Sequence, residues 1–362
     1  MVAKTYDAKE AGIKTGMPVW EARRLLPQAT YLSADFRFYG LLSAKMFAIL
    51  REYSPEIEVY SIDEAFMDMN GICTLWRKSF RQLADDMRER IYRDIGITVS
   101  VGISTTRILA KVASEKNKPN GSTIVPGRNI QYFLATIPVG DVPGIGRNRA
   151  ALLHKFSIYT ALDYCLTDKA HIHRMLGKAG VDLWDELNGK PVFRLELQAP
   201  MPKSIARTAS LGCVTTDQTL IASHFSYHST RVVTELVRKG LTTSMLTVFL
   251  RLKSFEAVAC KTRMQPCNDF SKLNKVVKSA FEELFVEDCE YRACGVLAST
   301  LNGDAGQGDL FIKQADAGRQ LKLIKTMDAI NSKYGSQTLR PAQALQKPRR
   351  TTRFNYPVII AN

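Results

Sequence analysis

The chain has no apolar run approaching the roughly 18 consecutive residues that a membrane helix needs. Its opening, MVAKTYDAKEAGIK, carries charges where a secretory signal would place an apolar core. A membrane-bound and a secreted protein are thereby set aside, and a cytoplasmic place is expected. Cysteine is scarce and unpatterned: the seven residues Cys73, Cys165, Cys213, Cys260, Cys267, Cys289 and Cys294 are odd in number and include no CxxC pair, which argues against a disulfide framework and against a zinc finger. No repeat of the solenoid kind is present. Acid is the charge in short supply, with 35 Asp and Glu against 50 Lys and Arg for a net charge of +15; a polyanion is the expected partner, nucleic acid ahead of a membrane surface.

What is present is a chain of 362 residues, 45% hydrophobic and 9% aromatic, enough for two or three packed domains. Basicity grows toward the C-terminus: residues 302–362 carry ten basic and four acidic side chains, residues 201–301 thirteen and nine, the first 200 residues 27 and 22. Up to residue 53 the apolar positions fall at helical spacing, in YDAKEAGIK, MPVWEARRLLP and LLSAKMFAILREY. EIEVYSIDEAFMDM, residues 56–69, alternates like one strand or two joined by a tight turn, and ITVSVGIS, 97–104, is a further strand after a helical run at 79–94. PNGSTIVPG, 119–127, is turn-rich and marks a boundary, after which short helices surround VPGIG. Beyond the Pro-containing linker LQAPMPK the pattern is strand, helix, two strands, helix, strand, a βαββαβ unit over 201–301.

Asp63 and Glu64 would point to opposite faces of a regular strand, so they share a site only if the chain bends there. Two acids at a hairpin bend can ligate divalent cations for phosphoryl transfer, although an adjacent Asp-Glu taken alone reads as a solvated turn. In VPGIG, Gly144 and Gly146 can free backbone N–H groups for a phosphate, with Arg147 and Arg149 as basic neighbours, or can simply serve a helix-helix turn. Arg251 and Lys253 alternate along one predicted strand and read as phosphate contacts or as a solvated sheet face. His224 and His228 stand i, i+4 on a predicted helix but lack the Glu of a metalloprotease motif; they and the pair His171 and His173 are read as ordinary surface or partly packed residues.

The order SIDEAF, TVSVGIS, TTRILAKVASEKNKPNG, VPGIGRNRAALL resembles the Y-family translesion DNA polymerases over nearly the whole chain. The resemblance implies an α+β multidomain fold: helical fingers at 1–40, an incomplete ferredoxin-like palm at 41–127, a helix-hairpin-helix thumb at 128–190, a linker at 191–200, a βαββαβ little finger at 201–301 and a basic tail at 302–362. It makes Asp63 and Glu64 catalytic carboxylates for two Mg²⁺ ions, Tyr6, Lys9 and Lys118 contacts to the incoming deoxynucleoside triphosphate, and primer-template DNA the partner. QGDLF resembles a sliding-clamp-binding peptide with Gln307, Leu310 and Phe311 as anchors. MDAINSKYG and RRTTRFNYP resemble the C-terminal extension of UmuC-type members, which implies error-prone synthesis in the SOS response, a UmuD-like subunit and a RecA-type filament.

The family also has an earlier palm strand with a third metal-binding Asp and an aromatic steric gate, for which no counterpart is found here. Asp7 and Asp35 fall on fingers segments and are no evident substitutes, and Asp68 is a conceivable replacement ligand. A palm with unpaired strand edges is expected. Two outcomes stand: a translesion polymerase, or a catalytically dead protein that only binds DNA and the clamp.

Overall fold

The longer helices begin at short side chains whose oxygens take up otherwise orphaned backbone N–H groups. The computed structural model describes residues 1–198, 200–303, 314–335, 338–340 and 342; Gln307, Leu310, Phe311 and RRTTRFNYP lie outside the described residues. The chain divides into two units, Met1–Pro200 and Met201–Asn362.

In the first unit, α1 (Tyr6–Glu10) and α2 (Val19–Leu25) close a small apolar cluster of Ala8, Ile13 and Ala22. Helix α3 (Phe36–Tyr53) starts at Asp35, whose carboxylate accepts from the N–H groups of Arg37 at 3.1 Å and Phe38 at 3.0 Å. The antiparallel hairpin β1 (Ile57–Val59) and β2 (Ala65–Met67) follows, then α4 (Ile72–Trp76) and α5 (Phe80–Ile95). A capping box of Ser79 and Gln82 opens α5, and Gly96 closes it in the left-handed region. Leu83, Met87 and Ile91, one helical turn apart on α5, pack with Met46, Phe47 and Tyr53 of α3.

Strand β3 (Val101–Ser104), helix α6 (Arg107–Lys116) and strand β4 (Ser122–Val125) form a β-α-β crossover with the two strands parallel. The segment read from sequence as a turn-rich boundary therefore contains a strand, because STIV between two turn signals is stabilised by pairing with β3. Helix α6 lies so close on β3 that a Cβ on Gly102 would stand 2.1 Å from the Ala110 carbonyl oxygen. Among the described residues the two sheets of this unit are separate: β2 pairs only with β1, and β3 only with β4. The expected open palm is thus realised as two short ribbons, with one edge of β2 and one of β3 left without strand partners.

Helices α7 (Ile130–Leu134), α8 (Arg147–His154), α9 (Ala161–Leu166) and α10 (Lys169–Leu187) complete the unit, and α10 breaks its helical geometry at Gly177 (φ 67°, ψ −161°). Leu109, Val112 and Val125 share one core with Leu134, Leu153, Tyr164, Ile172 and Leu187, so the boundary drawn at residue 127 does not interrupt the apolar packing. Glu186 is completely buried, and its carboxylate accepts from the N–H groups of Ile108 (3.2 Å), Val192 (2.7 Å) and Phe193 (2.8 Å). Its carbonyl accepts from the Thr106 hydroxyl at 2.9 Å. Buried Glu58 on β1 pairs with Arg107 at 2.7 Å and accepts from the Glu196 N–H at 2.9 Å. These two acids tie the start of α6 to β1, to the end of α10 and to the strap at 192–196.

The second unit runs β5 (Ser204–Thr215), α11 (Gln218–Arg238), β6 (Leu241–Leu252), β7 (Ala257–Cys267), α12 (Phe270–Leu284) and β8 (Tyr291–Gly303), the expected βαββαβ order. The sheet order is β5-β8-β6-β7 with every neighbour antiparallel. Leu246, Val248 and Leu250 alternate inward from β6 to meet Phe225 and Val232 of α11 and Val277 and Phe281 of α12. Helix α13 (Gln314–Tyr334) adds Ile324 to this core and a 2.6 Å ion pair from Asp328 to Arg238. His224 and His228 are not surface residues: both face the sheet and are buried. Burial lowers the His224 pKa, and burial with His224, Arg231 and Arg207 nearby holds His228 down at about 4.

Removing the Glu186 carboxylate leaves three partly buried N–H donors without their acceptor. Glu186→Ala is expected to lower the free energy of unfolding by about 2–4 kcal/mol. Glu186→Gln, which keeps the oxygen serving Val192 and Phe193, should lose about half as much. Urea unfolding of the three proteins measures this, and a loss below about 0.5 kcal/mol for the Ala variant would show that water satisfies those donors.

Candidate active site and nucleic-acid surfaces

The bend between β1 and β2 brings the two acids together. The N–H groups of Tyr60 and Ser61 donate to the Glu64 carbonyl at 2.9 and 3.1 Å, closing a tight loop over 60–64. Inside it, the Ser61 hydroxyl donates to the Asp63 carboxylate at 2.6 Å. Glu64 forms an ion pair with Lys111 of α6, whose ammonium also stands 5.0 Å from the centre of the Tyr60 ring. Arg107, one helical turn earlier, stacks 4.5 Å over Phe66. The acidic bend is thus braced by two cations from the helix that Glu58 and Glu186 hold in place.

Asp63 and Glu64 line a groove of about 430 Å³, together with Tyr6, Lys111, Lys118 and the apolar walls Phe66, Met67 and Val101. The groove runs between the unpartnered edges of β2 and β3. Two carboxylates and a hydroxyl are hard oxygen donors of the kind Mg²⁺ takes, and the acid pair fits that ion. Among the described residues, only these two acids line the groove. Asp7 lies on α1, Asp35 caps α3, and Asp68 spends one oxygen on the N–H of Asn70 at 2.8 Å; none of the three lines the groove. Lys9, one turn along α1 from Tyr6, does not line it either. Lys118 is present in the groove wall and is ion-paired with Glu115. Lys111 was missed in sequence although it stands inside the quoted TTRILAKVASEK: only the fold shows that it faces Glu64.

The second candidate surface is the turn before α8. Ile145 donates to the Val142 carbonyl at 3.0 Å, and Gly144 sits at φ +94°, where a side chain would be strained. Gly146 has φ −80° and serves as N-cap of α8, so its backbone does not require glycine. Gly144, Gly146, Arg147, Asn148 and Arg149 line an open concavity. Arg149 spends one N–H on the Gly144 carbonyl at 2.8 Å, bracing the turn, whereas Arg147 is exposed.

The third surface is the face of the four-stranded sheet opposite α11 and α12. Registers Arg251↔Ala257, Thr247↔Lys261 and Met245↔Arg263 place Arg251, Lys261 and Arg263 on that face. Beside them on that face stand Phe249 and Leu297 as well as the small residues Ala206, Thr208, Ala293 and Gly295. Lys253 is not on the strand: β6 ends at Leu252, and Lys253 pairs with Glu290 at 2.8 Å in the turn. Lys261 and Arg263, i and i+2 in the KTR of β7, take its place on that face.

An acidic hairpin bend facing lysines, a glycine turn at a helix start and a cation-bearing sheet face are three surfaces whose chemistry suits a polyanion. Two models of the impB/mucB/samB family, one of them its C-terminal domain, match residues 1–115 and 202–310, together more than half of the chain. The chain belongs to this family, the Y-family translesion DNA polymerases, which are nucleotidyltransferases. It is 29% identical over 360 residues to DNA polymerase IV 1 of Bacillus subtilis, covering 98% of the chain and 86% of that protein. It is also 29% identical over 342 residues to a DNA polymerase IV of Dehalococcoides mccartyi, covering 94% and 86%. Among solved structures, a chimeric Y-family DNA polymerase built on Dbh superposes with a TM-score of 0.68 at 25% identity, covering 83% of this chain and 86% of that one. An insertion ternary complex of Dbh DNA polymerase gives a TM-score of 0.53 at 25% identity, covering 82% and 85%.

The two glycines of the turn make different demands. Gly144→Ala forces a side chain into the left-handed region and should cost about 1–2 kcal/mol in urea unfolding. Gly146→Ala, at an ordinary φ with open space around it, should change stability by less than about 0.5 kcal/mol. Equal costs would show that the turn does not impose the φ of Gly144.

Proposed function

We propose that the chain adds deoxynucleotides to a primer opposite damaged template, with Asp63 and Glu64 as its catalytic carboxylates. The observation that carries this reading is the shared groove: the two acids at the bend face Tyr6, Lys111 and Lys118 across a space open enough for a triphosphate. The primer 3′-hydroxyl attacks the α-phosphate, a new P–O bond forms, and the bond to the β-phosphate breaks to release pyrophosphate. When bound, Mg²⁺ supplies the positive charge that neutralises the triphosphate and activates the attacking oxygen. The chain's own part is to aim the acids and to complement phosphate charge. Ser61 orients Asp63, Lys111 holds Glu64, and Lys118 exchanges Glu115 for phosphate oxygens. Tyr6 presents an exposed ring and hydroxyl at the groove wall.

Arg147 at the glycine turn and Arg251, Lys261 and Arg263 on the sheet face contact the DNA backbone without reading sequence. The clamp-binding role of Gln307, Leu310 and Phe311, and the UmuC-type features of SOS induction, a UmuD-like subunit and a RecA-type filament, belong to the same proposal and rest on the tail sequence.

A second reading, that the chain binds DNA without catalysis, is favoured by one feature: two carboxylates reach the groove, and one is committed to Lys111. Primer extension with Mg²⁺ separates the two. We expect very slow or absent extension by the chain itself. Recovery is expected when a strand bearing a third carboxylate is grafted between β2 and β3, and renewed loss in the Asp63→Asn form of that graft, with DNA binding kept. A folded, DNA-bound graft that remains inactive would establish the noncatalytic reading.

DNA affinity should fall linearly as log salt rises. Replacing Arg251, Lys261 and Arg263 together by Ala should reduce the slope by about 2.7, or about 0.9 per phosphate contact. A slope unchanged within error would remove the sheet face from the DNA interface. Leu310→Ala with Phe311→Ala should abolish capture on a sliding clamp and spare binding to short DNA, since such anchors cost about 2 kcal/mol or more when truncated.

A further inference from the structure

The inner face of α11 packs on the sheet through Ile221, Phe225 and Val232, yet the same face carries two imidazoles. His224 and His228 are 2% and 3% exposed, and Cys294, on the central strand β8, is 0% exposed. One donor atom from each of the three lies within 4.8 Å of the others. All four ring nitrogens lack a hydrogen-bond partner, as do the hydroxyls of Ser226 and Ser229; Arg207 Nε is the one other such side-chain atom among the described residues. Protein interiors seldom leave polar atoms unpaired, and here the unpaired ones gather along one stretch of one helix. Two imidazoles one turn apart facing a thiol are the donor set of a borderline divalent cation, and the absence of a carboxylate from the cluster disfavours Mg²⁺ and Ca²⁺.

We propose that His224, His228 and Cys294 bind one Zn²⁺, with water at the fourth position, and that the ion pins α11 to the centre of the sheet. Zinc bonds of about 2.0–2.1 Å to nitrogen and about 2.3 Å to sulfur set the donors about 3.3–3.6 Å apart in a tetrahedron. From the 4.8 Å limit the donors must close by at most about 1.2–1.5 Å to reach that spacing. On binding, the thiol gives its proton to solvent and the sulfur ligates as thiolate. Arg207 and Arg231 are the cations nearest His228, and Glu235 on α11 accepts an ion pair from Arg207 at 3.3 Å. The site lies on the helix-covered face of the sheet, opposite Arg251, Lys261 and Arg263, so it is independent of the proposed DNA contacts.

The test is a Co²⁺ titration of the chelator-treated full chain in excess Mg²⁺, which occupies the carboxylates. One equivalent should bind with a sulfur-to-cobalt charge-transfer band and the visible bands of a tetrahedral site, and Zn²⁺ should displace it. Cys294→Ala should remove the charge-transfer band and weaken binding by about 100-fold or more. Cys213→Ala, at an exposed cysteine, should leave both unchanged. Zn²⁺ should raise the Tm of the unmodified chain by about 5 °C or more and leave that of Cys294→Ala unmoved. If circular dichroism shows that Cys294→Ala does not fold, Cys294→Ser is read in the same titration. Absence of a charge-transfer band in the unmodified chain, or its persistence in a folded Cys294 variant, overturns the proposal.

Discussion

Buried acids at the two sides of α6 carry the first unit. Glu186 meets the N-terminal N–H of Ile108 and two strap amides, and Glu58 meets Arg107 and the Glu196 amide. A carboxylate out of water is costly unless its oxygens are filled, and here one amide at the start of α6, three strap amides and the Arg107 guanidinium fill them. The consequence reaches the site directly. With its first turn held, α6 presents Arg107 and Lys111 to the hairpin bend one turn apart, and the bend presents Asp63 and Glu64 to the groove.

The divided sheet is the complementary constraint. Because β2 and β3 each pair on one side only, the acidic bend hangs on a three-residue ribbon and owes its position to α6. A two-stranded ribbon is marginal alone, so helix packing supplies what a wider sheet would. The close approach at Gly102 is part of that substitution: it brings Lys111 within reach of Glu64 by removing the side chain that would hold α6 away from β3.

In the second unit the two faces of one sheet do different work. Period-2 alternation sends Leu246, Val248, Leu250 and Cys294 toward the helices and Arg251, Lys261 and Arg263 the other way. The open face carries its cations beside Phe249 and Leu297, while the covered face holds both the apolar core and the cluster of unpaired nitrogens.

Much of this was decided locally and could be read from the chain. The helical run at 79–94 and the βαββαβ order over 201–301 follow from apolar periodicity. The SIDE bend was legible too, since adjacent acids can share a site only where a strand turns. Tertiary structure decided what depends on distant partners. STIV became a strand because β3 stands beside it, Lys253 falls in the turn after β6 and pairs with Glu290, and Lys9 is not among the residues that line the groove Tyr6 joins. His224 and His228 changed most: spacing put them on one face of a helix, but burial and the approach of Cys294, 66 residues beyond His228 in the chain, are set by the packing of α11 on β8, which no local pattern encodes.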